Sequence, residues 1–128
     1  MYRFKWALLW TVLIFVLYAI PGKDLPHFDW ADLISLDKFV HAGIFFMHFL
    51  FLAGIFLAGS NDTFKNALFI ALASSLYGAL LELMQLLVFE GRSFEWLDIL
   101  ANDTGIILAL FTRKKWINHP IFGKIFRP

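Results

Sequence analysis

Four long apolar runs, separated by short polar turns, constrain the fold of this chain more than any other feature. The runs cover about residues 4–20, 39–59, 64–89 and 96–111, and hydrophobic residues make up 60% of the 128 residues. An ordinary soluble domain has about 45–50% apolar residues. A chain of this length also has too little interior to bury so many large side chains. Lipid must therefore solvate part of the surface, and we predict a single all-α domain, an integral membrane four-helix bundle.

The composition excludes several classes of function. The chain has no cysteine, which excludes disulfides, thiolate chemistry and cysteine metal sites. A net charge of +1 is too small to indicate a nucleic-acid partner. Gly-rich phosphate loops are absent, and we predict no cofactor.

The first run, residues 4–20, reads as a retained membrane anchor. Arg3 and Lys5 resemble the basic start of a cleaved signal peptide. However, no small-x-small cleavage pattern precedes Pro21. We therefore expect this run to be the first span of the bundle.

Polar residues at the ends of the runs predict where helices begin. Residues 21–36 contain Gly and Pro breakers and indicate a loop lying on the membrane surface. Ser35 is a plausible N-cap for the second run, Asn61 or Asp62 for the third, and Ser93 for the fourth.

The basic residues predict the orientation. With the N-terminus in the cytoplasm, 8 of the 11 Lys and Arg residues lie inside and 3 outside, which is the usual bias. Four spans then place both termini in the cytoplasm. The inside residues are Arg3, Lys5, Lys65, Arg113, Lys114, Lys115, Lys124 and Arg127, and the outside residues are Lys23, Lys38 and Arg92.

The tail after Lys115 alternates aromatic and aliphatic residues with basic ones. This pattern favours a surface anchor on an anionic leaflet. A disordered end is the alternative.

Small and polar residues form stripes near the predicted outer ends of the runs. Asp37 and His41 are four residues apart and share a helix face. Small residues at helical spacing let two helices approach closely. We expect the stripes to face each other and the His41 face of the second run. They consist of Ser74, Gly78, Glu82 and Gln85 in the third run and of Asp98, Asn102, Gly105 and Ala109 in the fourth.

The first run has no such stripe. Thr11 and Tyr18 are its only residues, apart from the basic start and the tryptophans, that offer polar atoms. We therefore expect it to pack on the outside of the bundle.

Glu82 is the most informative of these polar residues. It lies about two turns inside the third run, where an unpaired charge costs about 2.5–3.5 kcal/mol. Its candidate partners are His41, Lys38 and Arg92, and a protonated Glu82 is the alternative. Interhelical hydrogen bonds average only about 0.6 kcal/mol. We therefore favour a functional site over a purely structural contact.

The histidines predict neither a metal site nor a second functional centre. His48 lies about 10 Å along the helix from His41, too far to share an ion with it. We read His48 as a core histidine, with a proton relay as the alternative. A metal site of His41, Glu82 and Asp98 lacks the spacing of two histidine ligands, and we expect none.

Two further roles remain open at this stage. Glu82 and His41 are chemically suited to act as an acid and base pair. Arg92 is suited to hold a phosphate or carboxylate group, or alternatively to pair with Glu90, Glu95 or Asp98.

The order of these residues resembles the VanZ-like family of bacterial membrane proteins. The chain contains D-K-x-x-H at Asp37, E-x-x-Q at Glu82, and G-R followed by Asp and Asn at Gly91. The resemblance covers roughly residues 36 to 109. It departs from the family at Asp103, because the family usually has a small or uncharged residue soon after the Asn that corresponds to Asn102. The resemblance implies a multi-pass protein of the bacterial inner membrane. The family's namesake is associated with low-level teicoplanin resistance, and no reaction is established for the family.

We therefore expect an outward-facing polar pocket that binds a membrane lipid, a lipid headgroup, or a lipid-linked or glycopeptide-like ligand. The alternatives are a subunit of a larger membrane-protein complex, with the first run as its contact face, and a membrane enzyme acting on a lipid-linked substrate. The predicted ligand-binding residues are Asp37, Lys38, His41, Glu82, Gln85, Arg92, Ser93, Asp98 and Asn102.

Overall fold

Four long helices and one short helix make up the described part of the chain. The computed structural model describes residues 2–21, 30–57, 59–121 and 123–126. The helices are α1 (Tyr2–Ala19), α2 (Trp30–Phe56), α3 (Phe64–Leu87), α4 (Trp96–Ile117) and α5 (Gly123–Phe126), and a 3-10 turn at Gly59–Asn61 joins α2 to α3. The prediction of an all-α fold with four main helices packed together is confirmed.

Helix α2 lies at the centre and packs against all the other helices. Its contact with α4 is close because Gly105 has no side chain: a Cβ atom there would overlap the backbone of Ala42. Phe45, Phe49 and Leu50 of α2 are fully buried in the core. Every member of the two predicted stripes on α3 and α4 is also buried.

Two helices in the described residues are suited, by length and composition, to cross a membrane. They are Leu36–Phe56, with a mean hydropathy of 2.0, and Phe64–Leu87, with a mean hydropathy of 1.8. The apolar part of α1, Phe4–Ala19, is shorter. Helix α4 carries Asp98 and Asp103 in its first half and basic residues in its last turn.

Helices α3 and α4 begin at Phe64 and Trp96, as predicted, but α2 begins earlier than predicted and all three predicted N-caps were wrong. Helix α2 begins at Trp30, so Ser35 lies inside the helix and does not cap it; residues 22–29 of the predicted loop lie outside the described residues. Thr63 caps α3 by accepting a hydrogen bond from the Asn66 amide at 3.2 Å. The N-cap is therefore Thr63 and neither of the predicted residues, Asn61 and Asp62.

In helix α4 the N-cap residue and the C-terminal end differ from the prediction. Glu95, not Ser93, occupies the N-cap position, and its side chain makes no capping hydrogen bond. The helix continues to Ile117, beyond the predicted end at residue 111. It continues because Arg113 and Ile117 are buried on the same face as the core residues before them.

Part of the tail packs onto the bundle, and its anchoring to a membrane surface stays a prediction. The ring of Phe126 in α5 is buried, with its centroid 5.4 Å from that of Phe51. Gly54 makes room for this contact, because a Cβ atom there would overlap the Phe126 backbone. Ile121, just before α5, remains 69% exposed.

Candidate functional site

The buried polar residues meet at one end of the bundle. Successive long helices run in opposite directions, so the ends of α1 and α3 lie beside the beginnings of α2 and α4. We call this region the polar end. Tyr18 of α1, His41 of α2, Gln85 of α3 and Asn102 of α4 are all buried there. All four long helices therefore contribute to one cluster.

Tyr18, His41 and Asn102 form a closed triangle of polar contacts. The Tyr18 hydroxyl lies 3.0 Å from Nδ1 of His41 and accepts a hydrogen bond from Nδ2 of Asn102 at 2.9 Å. Nδ1 of His41 also lies 3.2 Å from Oδ1 of Asn102. Gln85 adds a fourth contact by donating to the carbonyl oxygen of Tyr18 at 3.2 Å. The imidazole is thereby fixed through its Nδ1 edge.

Lys38 holds three carboxylates together at the rim of the polar end. Its ammonium group lies 3.0 Å from Asp37 and 2.8 Å from Glu95, and it also forms an ion pair with Asp98. Asp98 is buried, whereas the side chains of Asp37 and Glu95 are about half exposed. The paired charges compensate the cost of burying Asp98.

The second ring nitrogen of His41 faces two of these carboxylates. Nε2 lies 3.5 Å from Oδ1 of Asp37 and 3.8 Å from Oδ2 of Asp98. Lys38 contacts the other oxygen of each aspartate. Each carboxylate therefore has one oxygen bound to the ammonium group and one turned toward the imidazole.

Glu82 is completely buried, but none of its predicted partners hydrogen-bonds to it. Its Oε2 accepts a hydrogen bond from the backbone amide of Glu95 at 3.3 Å. Its Oε1 has no hydrogen-bond partner among the described residues. Lys38 is not available to Glu82 because the three rim carboxylates surround it.

Arg92 lies beside a cleft at the polar end. The cleft has a volume of about 200 Å³ and is lined by Tyr18, Asp37, His41 and Arg92, together with apolar residues of α1 and α2. Within the described parts of the chain, the Arg92 side chain makes no hydrogen bond or ion pair. Its predicted alternative partners Glu95 and Asp98 bind Lys38 instead.

Ser93, predicted as a ligand-binding residue, lies exposed in the turn before α4, and its side chain forms no hydrogen bond among the described residues. The side chain of Asp103 accepts a hydrogen bond from Ser75 at 2.6 Å, which ties α4 to α3 outside the cluster. His48 is a buried core residue whose Nε2 lies 3.2 Å from the Thr11 hydroxyl.

Tyr18 is the central residue that the sequence prediction missed. From the sequence, Tyr18 was noted only as a residue with a polar atom, on a helix that was expected to pack on the outside of the bundle. Helix α1 has no stripe of polar residues that would show which of its faces points inward. Tyrosine is also common at membrane interfaces, so Tyr18 near the end of the helix did not indicate a buried position. One signal was available: Ala7, Ile14 and Tyr18 are spaced by seven and four residues and form the buried face of α1.

Comparisons of this chain with protein-family models, curated proteins and solved structures found no match. The resemblance to the VanZ-like family therefore stays a prediction based on the spacing of Asp37, His41, Glu82, Arg92 and Asn102.

Proposed function

We propose that this chain is a multi-pass membrane protein whose polar end binds the anionic headgroup of an envelope lipid. The observation that carries the proposal is Arg92, whose guanidinium group has no protein partner in the described residues and borders a cleft. A guanidinium group presents a fork of donors that matches the oxygens of a phosphate group. A lipid phosphate at Arg92 supplies the missing negative charge.

The outer surface of the bundle supports a membrane location. Large apolar side chains are exposed on each long helix, including Leu9 on α1, Phe39 on α2, Phe69 on α3 and Phe111 on α4. Contiguous apolar surface of this kind is rare on soluble monomers. In our proposal α1 and α4 complete a four-span bundle with both termini in the cytoplasm of a bacterium and the polar end outside.

The charge distribution favours Arg92 over Lys38 as the anion-binding group. Lys38 is surrounded by Asp37, Glu95 and Asp98 and is not free to bind a further anion. It also neutralises part of the charge of Asp37, which borders the same cleft. Among the described residues that line the cleft, Arg92 is therefore the cation available to an approaching phosphate.

The size of the cleft favours a headgroup over a whole glycopeptide. Pockets for drug-sized ligands have volumes of about 300–1,000 Å³, whereas this cleft has about 200 Å³. Leu17, Ile20 and Val40 form its apolar wall, against which the start of an acyl chain would pack. A lipid phosphate with its glycerol fits this combination.

Binding is also favoured over acid and base catalysis. Glu82 donates or accepts no hydrogen bond with His41, since its described contact is with the Glu95 amide. His41 is held by Tyr18 and Asn102 through Nδ1 and faces two aspartates through Nε2. The two residues therefore share no direct hydrogen bond, and this favours binding over catalysis by this pair.

The test measures binding of a short-chain phosphatidic acid to the purified protein in a neutral detergent. Phosphatidylcholine of the same chain length serves as the zwitterionic comparison. We expect tighter binding of phosphatidic acid, and a loss of about tenfold in Arg92→Ala, as for removal of one charge-assisted hydrogen bond.

Lys65→Ala provides the matched control, because it removes one exposed positive charge at the opposite end of α3. It should bind as the unmodified protein does. Equal affinity for the two lipids, or an unchanged affinity in Arg92→Ala with normal helical content, would reject the proposal.

A further inference from the structure

Three potential ligand atoms from two helices converge at the polar end. They belong to Asp37 and His41 on α2 and to Asp98 on α4, and the atoms all lie within 4.8 Å of one another. Nε2 of His41 is 3.5 Å from Asp37 and 3.8 Å from Asp98. These separations exceed the 2.7–3.2 Å that is usual for an N–H···O hydrogen bond.

The separations match those of atoms that share one metal ion. Metal bonds to nitrogen and oxygen are about 2.0–2.5 Å long, so two ligands of one ion lie about 3–5 Å apart. We propose that Asp37, His41 and Asp98 bind a divalent transition-metal ion of the Zn²⁺ or Mn²⁺ class. The imidazole ligand favours these ions over Ca²⁺ and Mg²⁺, which prefer oxygen ligands.

Lys38 holds both aspartates in position for this role. It binds Oδ2 of Asp37 and Oδ1 of Asp98, which leaves the opposite oxygen of each turned toward His41. The ammonium group balances one of the three carboxylates around it, since Glu95 is the third. A divalent cation balances the other two.

Asn102 and Tyr18 supply the outer contacts that a metal-binding histidine needs. In the proposed site His41 carries its proton on Nδ1, which lies 3.2 Å from Oδ1 of Asn102 and 3.0 Å from the Tyr18 hydroxyl. Nε2 then presents its lone pair to the two aspartates. Metal-binding histidines characteristically donate their other ring N–H to an oxygen in this way.

From the sequence we considered a metal site of His41, Glu82 and Asp98 and expected none, because it lacks the spacing of two histidine ligands. In the structure Glu82 contacts the Glu95 amide, and Asp37 takes the third position. The metal site goes beyond the proposed lipid binding and does not depend on it. The competing arrangement is a protonated His41 that forms ion pairs with both aspartates.

The test is a calorimetric titration of Zn²⁺ into the full chain, purified in detergent without a histidine tag and freed of metal with a chelator. We expect one equivalent of Zn²⁺ to bind per chain. His41→Gln and Asp37→Asn should each weaken that binding by at least about tenfold, the lower end of what even outer-contact mutations cause. His48→Gln is the matched control, because it removes a buried histidine on the same helix and should leave binding unchanged.

X-ray absorption on the unmodified protein with one equivalent of Zn²⁺ gives a second result that needs no variant. We expect nitrogen and oxygen ligands that include one imidazole. No saturable binding, equal binding in His41→Gln, or a zinc ion with two imidazoles would overturn the proposal. Arg92→Ala should bind Zn²⁺ normally, so that a failure of lipid binding and a failure of metal binding are distinguishable.

Discussion

The hydroxyl of Tyr18 lies 3.0 Å from Nδ1 of His41, although 23 residues separate the two in the chain. The same hydroxyl accepts a hydrogen bond from Asn102 on α4. One phenol group therefore connects α1, α2 and α4 inside the bundle. It also fixes the orientation of His41, whose opposite nitrogen faces the rim carboxylates.

Replacing Tyr18 with Phe should destabilise the bundle without changing its packing volume. The change leaves the buried amide of Asn102 without its acceptor, and an unsatisfied buried donor costs about 1–3 kcal/mol. The free energy of unfolding in mixed detergent micelles provides the measurement. Tyr77→Phe is the comparison, because it removes one half-buried bond to the carbonyl oxygen of Thr11 and should cost less. An equal loss in both variants would contradict the central role of Tyr18.

Replacing Lys38 with Met should destabilise the polar end more strongly. The change removes the ammonium group that pairs with buried Asp98. Breaking a buried ion pair from one side costs about 3–5 kcal/mol, and the partial exposure of Lys38 places this case at the low end. Lys38→Arg keeps the charge and should retain most of the stability when both variants are unfolded by denaturant.

A second change tests whether this loss comes from Asp98. Adding Asp98→Asn to Lys38→Met removes the uncompensated charge, so the double variant should be more stable than Lys38→Met alone. Together with the unmodified protein and Asp98→Asn alone, these two variants form a double-mutant cycle that isolates the pair. A strictly additive result would show that Lys38 and Asp98 do not interact.

The sequence predicted the stripes but not the contacts between them. Helical spacing placed Glu82, Gln85, Asp98 and Asn102 on inward faces, and all four are buried. Spacing along one helix reports which side faces inward, and it contains no information on how two helices cross. For that reason the sequence offered His41, Lys38 and Arg92 as partners of Glu82, and the structure has the Glu95 amide instead.

The start of α2 was missed for a related reason. Pro and Gly in residues 21–26 discourage a helix there, but they do not act as far as Trp30, where α2 begins. Ser35 was favoured as a cap because serine commonly occupies that position. Local preferences of this kind are weak and do not by themselves determine where a helix begins.

The ion pair between Arg113 and Asp62 should stabilise the opposite end of the bundle without affecting ligand binding. Nε of Arg113 lies 3.0 Å from Asp62, and the guanidinium group also donates to the carbonyl oxygen of Leu110. Arg113→Leu should cost about 3 kcal/mol because it leaves Asp62 largely buried and unpaired. Phosphatidic acid binding should be unchanged at a temperature where the variant is folded. A loss of binding in that folded variant would connect the two ends, contrary to our assignment.

The proposed orientation predicts which positions a membrane-impermeant thiol reagent reaches in intact cells. The chain has no cysteine, so a single introduced cysteine gives an unambiguous signal. Glu90 and Asn61 are both exposed and lie at opposite ends of α3. Glu90→Cys should react from outside, and Asn61→Cys should react only after the cells are permeabilised. The reverse pattern would invert the topology, and labelling of both in intact cells would reject a membrane-spanning α3.

Gly105→Ala should separate the two central helices, whereas Gly43→Ala should not. A Cβ atom at Gly105 would overlap the backbone of Ala42, but one at Gly43 has no atom within 4 Å. Because backbone atoms cannot rotate away, the first change forces α4 off α2 at a cost of about 1–3 kcal/mol. The second replaces a helical glycine in open space and should stabilise α2 by up to about 1 kcal/mol. The free energies of unfolding of both variants provide the measurement. A Gly105→Ala variant as stable as the unmodified protein would show that the backbones of α2 and α4 are not in close contact at this point.

The same pair of variants also tests the metal site. Since Asp37 and His41 lie on α2 and Asp98 on α4, Gly105→Ala should weaken Zn²⁺ binding while Gly43→Ala leaves it intact.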